Sequence, residues 1–494
     1  MTYDYLVIGA GLSGLTASAI LAKHGCRVAL VEKAGKTAPL VRGFSRKGVF
    51  FDTGFHYTGG LDEHEILDTF FKYLGIASSL EKEPFDEEGF DIFRCSKSGF
   101  VFPFPYGADR IRRSFERHFP EEAEAVGGYM RAVSRTYDAL PYANLDAPLT
   151  DQALGDPSRG ESLQSRLDSL TDKSLLKCIL SMHCLLHGVS PQDVSFGAHA
   201  RVVASYYNSV HRIKGGGKSL ADALDDRCRA WGVDVFTGRA VKEVAFSSAG
   251  DLAGARLEDG EEIPAACCIS TVHPQYLLSM VPDRFFRPIY RKRLAAFEET
   301  SSAYLLFGTT DVVMEDLMGR NQFIFAGEAF PGLDASVPFA ERPLYLAAAG
   351  EGDQRGRAFM ALCPASFSEV AHWSSSTTGH RGPAYVAHKQ EIAESLLGRI
   401  ETFYPGFSGH VVFAESATPL TLRDFGNNPL GSLYGVKHRI DQYDLMPVTR
   451  VRKLLLAGQA LTAPGVLGTM ISAFLACGAI LGHEHLREEL RKCV

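Results

Sequence analysis

At 494 residues the chain exceeds what a single compact core serves, and two to four domains are expected. Its 46% hydrophobic and 22% charged residues suit a globular protein, while a formal charge of -7 and a pI near 6.2 offer no basic face for nucleic acid. The ten cysteines contain no C-x-x-C pair, which argues against a zinc site or a disulfide framework and favours a reducing compartment.

The chain opens on an apolar strand from Tyr3 to Ile8, without a charged leader, so a cytoplasmic location is expected. Gly9-Ala10-Gly11-Leu12-Ser13-Gly14 follows at once. A helix then runs to His24 with Leu15, Ala19 and Ala22 on one face, and a second strand, Arg27 to Val31, ends at Glu32. This is the strand, glycine turn, helix, strand and acid order of a dinucleotide-binding unit. Gly9 permits the tight turn, Gly11 lets the backbone approach a pyrophosphate, and Gly14 lets the helix pack closely on the strand. The helix N-terminus, at Leu12 and Ser13, offers unpaired amides to the phosphates. Glu32, followed by Lys33, suits an adenosine ribose and disfavours a 2′-phosphate. The motif by itself does not separate FAD from NAD.

Further along lies Gly48-Val49-Phe50-Phe51-Asp52-Thr53-Gly54-Phe55-His56-Tyr57. The aromatic segment Phe100 to Tyr106 contains two prolines, which predicts an edge strand or a loop. It would line a substrate tunnel, touch a membrane surface or pack as a flap on its own domain. Residues 109–204 read as mainly helical, starting with Arg110 to His118 and resuming after Pro120. His183 and His187 have helical spacing, but no carboxylate or thiolate pattern completes a metal site, so they are expected in the core or along a channel. Gly215-Gly216-Gly217, Leu220 and Leu224 precede Gly232 to Val244. Gly216-Gly217-Lys218-Ser219 is not a P-loop, because Arg212 stands where that motif needs glycine. Cys267 and Cys268 sit in a buried strand, and Ala303 to Gly308 reads as another strand.

Near the C-terminus come Ala417-Thr418-Pro419-Leu420-Thr421 and Gly431-Ser432-Leu433-Tyr434-Gly435. Leu454 to Gly482 carries no charge, yet Gly458, Pro464, Gly465 and Gly468 break it into a buried strand, a turn and a core helix rather than a membrane span. Gly468, Thr469 and Met470 are expected in that helix's first turn, where the dipole would stabilise negative charge on a bound cofactor. His483-Glu484 is not a zinc motif, because Arg487 occupies the second histidine position.

Taken together, the Gly48–Tyr57, Gly215–Val244, Ala417–Gly435 and Leu454–Met470 segments resemble the phytoene desaturase, carotenoid isomerase and retinol saturase group of the amine-oxidase-like flavoproteins. Two positions depart from the group's pattern. Ala38-Pro39 stands where a Gly-Gly pair is usual, and Gln459-Ala460 replaces an acid near Gly458. The resemblance implies an α/β fold: a Rossmann-like FAD-binding domain (1–75, 205–285 and 405–494) with a discontinuous mixed α+β substrate domain (76–204 and 286–404). The implied FAD contacts are Gly9, Gly11, Leu12, Ser13, Gly14, Glu32, Lys33, Val241, Gly458, Gln459, Gly468, Thr469 and Met470. The implied activity is desaturation, saturation or isomerisation of a long apolar isoprenoid or polyene by hydride exchange between FAD and a carbon–carbon bond, with His56, Tyr57 and Tyr434 as catalytic candidates and no metal. An amine-oxidase or porphyrinogen-oxidase activity is the alternative on the same scaffold. A non-catalytic prenyl-binding protein of the GDP-dissociation-inhibitor type is a third reading. Peripheral membrane contact is a further expectation, and the lack of a second nucleotide fingerprint points to a quinone, oxygen or a transiently bound carrier as electron partner.

Overall fold

The computed structural model describes residues 2–150 and 160–494; the part of the expected helical stretch at 151–159 lies outside the described residues. Two seven-stranded sheets form the body. The first orders its strands Val241–Phe246, Leu252–Leu257, Glu262–Ser270, Tyr3–Ile8, Val28–Glu32 and Asp234–Thr237, with Leu454–Leu456 also paired to Glu262–Ser270. From Leu454–Leu456 across to Asp234–Thr237 the pairing is parallel, and the other two strands form an antiparallel ribbon. All five residues of Val28–Glu32 are buried, as expected of a strand covered on both faces.

The helix Leu12–Lys23 is apolar around nearly its whole circumference because it is enclosed. It packs on the sheet and between the helices Gly216–Ala230 and Gly465–Leu481. The beginning, middle and end of the chain therefore meet there. Ser13 Oγ donates to the Thr469 carbonyl at 2.6 Å and pairs with Ser472 Oγ at 3.1 Å. Ser472 Oγ in turn accepts from the Gly458 amide at 2.8 Å. Gly465–Leu481 is a core helix, and among the described residues no helix is long and apolar enough to cross a membrane.

The second sheet runs Val411–Ala417, Ser302–Thr310, Ala358–Ala365, Leu344–Ala349, Asn321–Phe325, Asp91–Cys95 and Val101–Phe104. It is antiparallel except between Asn321–Phe325 and Asp91–Cys95. Successive side chains alternate between its faces. Tyr304, Leu306, Phe359 and Ala361 pack with Leu396 and Ile400 of the helix Pro383–Glu401. Leu305, Phe307, Met360 and Leu362 face the opposite way, towards a cavity. Val411–Ala417 lies in the stretch 405–494, expected in the cofactor domain, yet pairs in this second sheet, so the chain crosses over later than its sequence places it.

Val101–Phe104 is an edge strand, with Phe102 and Phe104 4.6 and 5.6 Å from Phe115 of the helix Ala108–His118. That helix covers the aromatic segment, which is a flap packed on its own unit.

Candidate functional site

A cavity of about 590 Å³ is lined by residues of both sheets. Its polar end is built on the glycine turn. Gly9 holds a φ of 98°, and the backbone then enters the helix Leu12–Lys23 with neither a capping side chain nor an acid in the first turn. A Cβ added at Gly11 would have no atom within 4 Å and would project into free space, which is where a pyrophosphate needs room. The helix Gly465–Leu481 likewise begins without a side-chain cap or first-turn acid, and Gly465, Val466 and Thr469 line the same cavity. Two helix N-termini with open amides thus converge on one space, which is suited to an anion at one and an electron-rich ring at the other. Glu32 is buried, with Oε2 accepting from the Ala10 amide and Oε1 from the Ala34 amide, both at 2.8 Å. Those bonds fix the carboxylate while leaving lone pairs for a ribose. The residues present therefore fit a dinucleotide carried along both helix ends.

Of the expected cofactor contacts, Gly9, Gly11, Leu12, Ser13, Glu32, Lys33, Val241, Gly458, Gln459 and Thr469 line the cavity, whereas Gly14, Gly468 and Met470 do not. A Cβ at Gly14 would stand 1.9 Å from the Gly9 carbonyl, so this glycine serves helix–strand packing. A Cβ at Gly468 would likewise stand 2.3 Å from the Ala463 carbonyl, and Met470 is fully buried in the core. The helix starts at Gly465, one turn earlier than the first-turn assignment of Gly468 to Met470 requires. The unusual residues Ala38, Pro39, Gln459 and Ala460 all face the cavity. The Gln459 carbonyl accepts from His438 Nε2 at 2.8 Å.

The inner end is apolar, formed by Leu185, Leu305, Phe307, Phe323, Met360 and Leu362, among others. His56, Tyr57 and Tyr434 also line the cavity. Burial pushes the His56 imidazole down to about 4, so it is neutral near pH 7. Tyr57 Oη donates to Asp91 Oδ2 at 3.0 Å, and burial, with Asp91 adding to it, raises this phenol well above its ordinary range. Tyr434 Oη donates to the Leu185 carbonyl at 3.0 Å, which braces the wall.

Further polar residues join the expected contacts in the site. Asp52 lines the cavity and accepts from the Gly217 amide at 3.2 Å, and burial pushes its carboxyl up to about 7. His273 lines the cavity with its Nε2 2.8 Å from Glu299 Oε1. Asp91 belongs to no motif. Tyr345, which also lines the cavity, donates to Asn321 Oδ1 at 3.0 Å.

The family model described as flavin containing amine oxidoreductase matches residues 12–481. The human all-trans-retinol 13,14-reductase is 26% identical, over 97% of this chain and 85% of its own length. The 4,4'-diapolycopene oxygenase of Methylomonas sp is 24% identical over 87% of each chain. Among solved structures, an oxidoreductase from Methanosarcina mazei superposes with a TM-score of 0.65 at 16% identity, covering 95% of this chain and 98% of that one, which is a likeness of fold.

Proposed function

The chain belongs to the flavin containing amine oxidoreductase family and is an FAD-dependent oxidoreductase, and we propose that it saturates or desaturates a carbon–carbon bond of a long polyene or isoprenoid substrate. The observation that carries this reading is the single cavity joining two open helix N-termini to an apolar inner end. Relatives named as a retinol reductase and a diapolycopene oxygenase support the same substrate class.

Bound FAD would be held by Gly9, Gly11, Ser13 and Glu32 at its adenosine and phosphate part and by Gly458, Gln459 and Thr469 towards its ring, and it supplies hydride exchange with carbon. The protein's own part is orientation, dryness and the proton. Leu305, Phe307, Met360 and Leu362 align an apolar chain and exclude water. Saturation of a double bond needs one proton besides the hydride, and desaturation releases one. His56 is neutral and Tyr434 donates to a backbone carbonyl that cannot return a proton, whereas Tyr57 donates to the carboxylate of Asp91, which can, so Tyr57 is the group assigned to that proton. Leu40 and Tyr276 line the cavity while 41% and 37% exposed, and Phe425, beside the lining residue Gly426, is 66% exposed. This apolar rim is read as the entry, facing a membrane from which the substrate is drawn.

Anaerobic mixing of the dithionite-reduced holoenzyme with all-trans-retinol, lycopene and phytoene tests the proposal, with putrescine and cyclohexylamine mixed into the oxidised form. Reoxidation by a polyene, or bleaching of the oxidised form by a more saturated one, is expected. Bleaching by an amine alone overturns the reading in favour of amine oxidation.

A further inference from the structure

Behind the cavity wall runs an unbroken line of buried polar side chains that the cofactor site does not use. Asp91 Oδ2, which accepts from Tyr57, also lies 3.0 Å from His183 Nε2. His183 Nδ1 is 3.4 Å from Tyr207 Oη, which is 3.2 Å from Tyr129 Oη. Tyr129 Oη is 2.9 Å from His199 Nε2, and His199 Nδ1 is 3.1 Å from His187 Nε2. From Asp91 to His187 no member is more than 4% exposed. The rings of Phe90 and Phe104 lie 6.0 and 5.0 Å from that of His183 and shield the line from water.

Donor and acceptor chemistry fixes one direction along it. Asp91 Oδ1 accepts from Asn321 Nδ2 at 2.8 Å, and Oδ2 accepts from Tyr57. His183 therefore donates through Nε2 and, as a neutral ring, presents a lone pair at Nδ1. Tyr207 donates to that lone pair, Tyr129 donates to Tyr207, His199 Nε2–H donates to Tyr129, and His187 Nε2–H donates to His199 Nδ1. Each of these groups except His187 then gives one hydrogen and receives one. A single lone pair is left over, that of His187 Nδ1, which has no partner among the described residues. A network built only for stability would be closed at this end, because an unpartnered buried acceptor is costly. Burial keeps the His187 and His199 imidazoles well below their ordinary range, so both rest neutral and can receive a proton only in passing.

We propose that this line is a proton relay, carrying one proton between His187 Nδ1 and Tyr57 on the cavity wall. The inference rests on the carbon–carbon reading above. In saturation, the π bond breaks, one carbon takes hydride from the reduced flavin, and its neighbour takes the Tyr57 proton. Once this buried end opens to water, a solvent proton bonds to His187 Nδ1, and each member passes its own hydrogen forward until Asp91 Oδ2 holds one. Asp91 returns it to the Tyr57 oxygen, so the net uptake is one proton. Desaturation runs the same steps backwards. Cys184, His187 and His199 each offer a ligand atom within 4.8 Å of the others and so have a rival use as metal ligands. No fourth His, Cys, Asp or Glu joins them among the described residues.

Two measurements test the relay on the holoenzyme. Nitrogen-15 histidine spectra should show His183, His187 and His199 as Nε2–H tautomers, and an Nδ1–H form at any of the three overturns it. Tyr129→Phe and Tyr207→Phe remove one hydroxyl each with little change of shape. With whichever polyene the wild type turns over, each should lower kcat by about 100-fold, with KM and flavin absorbance unchanged. Tyr142→Phe, outside the line, should match the wild type. Wild-type kcat in the Tyr129 and Tyr207 variants overturns the relay. So does cobalt(II) thiolate absorption that Cys184→Ser abolishes. An inactive wild type with the three Nε2–H tautomers intact sinks the polyene reading and leaves the wiring standing.

Discussion

Ala38 holds a φ of 47°, a left-handed backbone that alanine adopts at a cost of about 1–2 kcal/mol and glycine adopts freely. The position is 1% exposed, and its amide donates to the Ala10 carbonyl at 2.7 Å, so the loop keeps a glycine's shape after the glycine is gone. Ala38→Gly should raise stability by roughly 0.5–1 kcal/mol, less than the strain because glycine also loosens the unfolded chain; urea unfolding checks it, and a destabilised variant would show that the strain is absent. Two residues of the following segment titrate in opposite senses. Asp52 keeps its proton in the folded state up to about pH 7, so the wild type loses stability as pH rises from about 4 to about 7. His56 refuses a proton in the folded state down to about pH 4, so stability is lost as pH falls from the ordinary histidine range to there. Relative to the wild type, Asp52→Asn should gain up to roughly 4 kcal/mol between pH 4 and 7, and His56→Asn up to roughly 3 kcal/mol between pH 7 and 4. Melting curves across that range should therefore diverge in opposite directions for the two variants, and parallel curves would refute both assignments. His56 and Tyr57 were legible because they stand in a recognisable segment. Asp91 was not, since a lone aspartate opening an apolar strand looks like any loop residue until Tyr57, His183 and Asn321 are seen around it.

At the scale of elements, the glycine turn separates binding from folding within four residues. Gly11 has open space where its side chain would be, while a methyl at Gly14 would collide with the Gly9 carbonyl at 1.9 Å. Gly11→Ala should thus cost the apoprotein about 1 kcal/mol or less, as an N-cap change, and weaken FAD binding at least tenfold. Gly14→Ala should destabilise the apoprotein by about 2 kcal/mol or more through overpacking. Apoprotein melting and FAD titration by fluorescence separate the two, and equal melting losses would contradict the geometry. The strand–turn–helix–strand order was readable because its spacing is local. The second sheet was readable only as strands. All nine residues of Ser302–Thr310 are buried, so hydrophobic alternation is absent and nothing in the sequence says that Leu305 and Phe307 face the cavity while Tyr304 and Leu306 face a helix. The helix Pro383–Glu401, distant in sequence, decides that. The crossing strand Val411–Ala417 escaped for the same reason, since its partner Ser302–Thr310 lies a hundred residues earlier.

For the whole molecule, convergence of the two chain ends on one cavity was legible because segments at both ends resemble FAD-binding motifs of the same family. The entry to that cavity was not, because exposure is a property of the assembled surface. Leu40 lies against Gly426, which lines the cavity beside Phe425, and Leu430 is 47% exposed a few residues on. A polyene is too insoluble to arrive through water in quantity, so an apolar rim at the mouth is useful if it rests on the phase that holds the substrate. Burying one such side chain contributes about 1.5–3 kcal/mol, so Phe425→Asp with Leu430→Asp removes at least about 3 kcal/mol of membrane affinity, or roughly 100-fold in partitioning. Both positions lie outside the residues assigned to FAD, and flavin absorbance should not change. Sedimentation with phosphatidylcholine vesicles should pull down the wild type and leave the double variant in the supernatant. A wild type that stays in the supernatant, or a double variant that still sediments, would place the entry elsewhere.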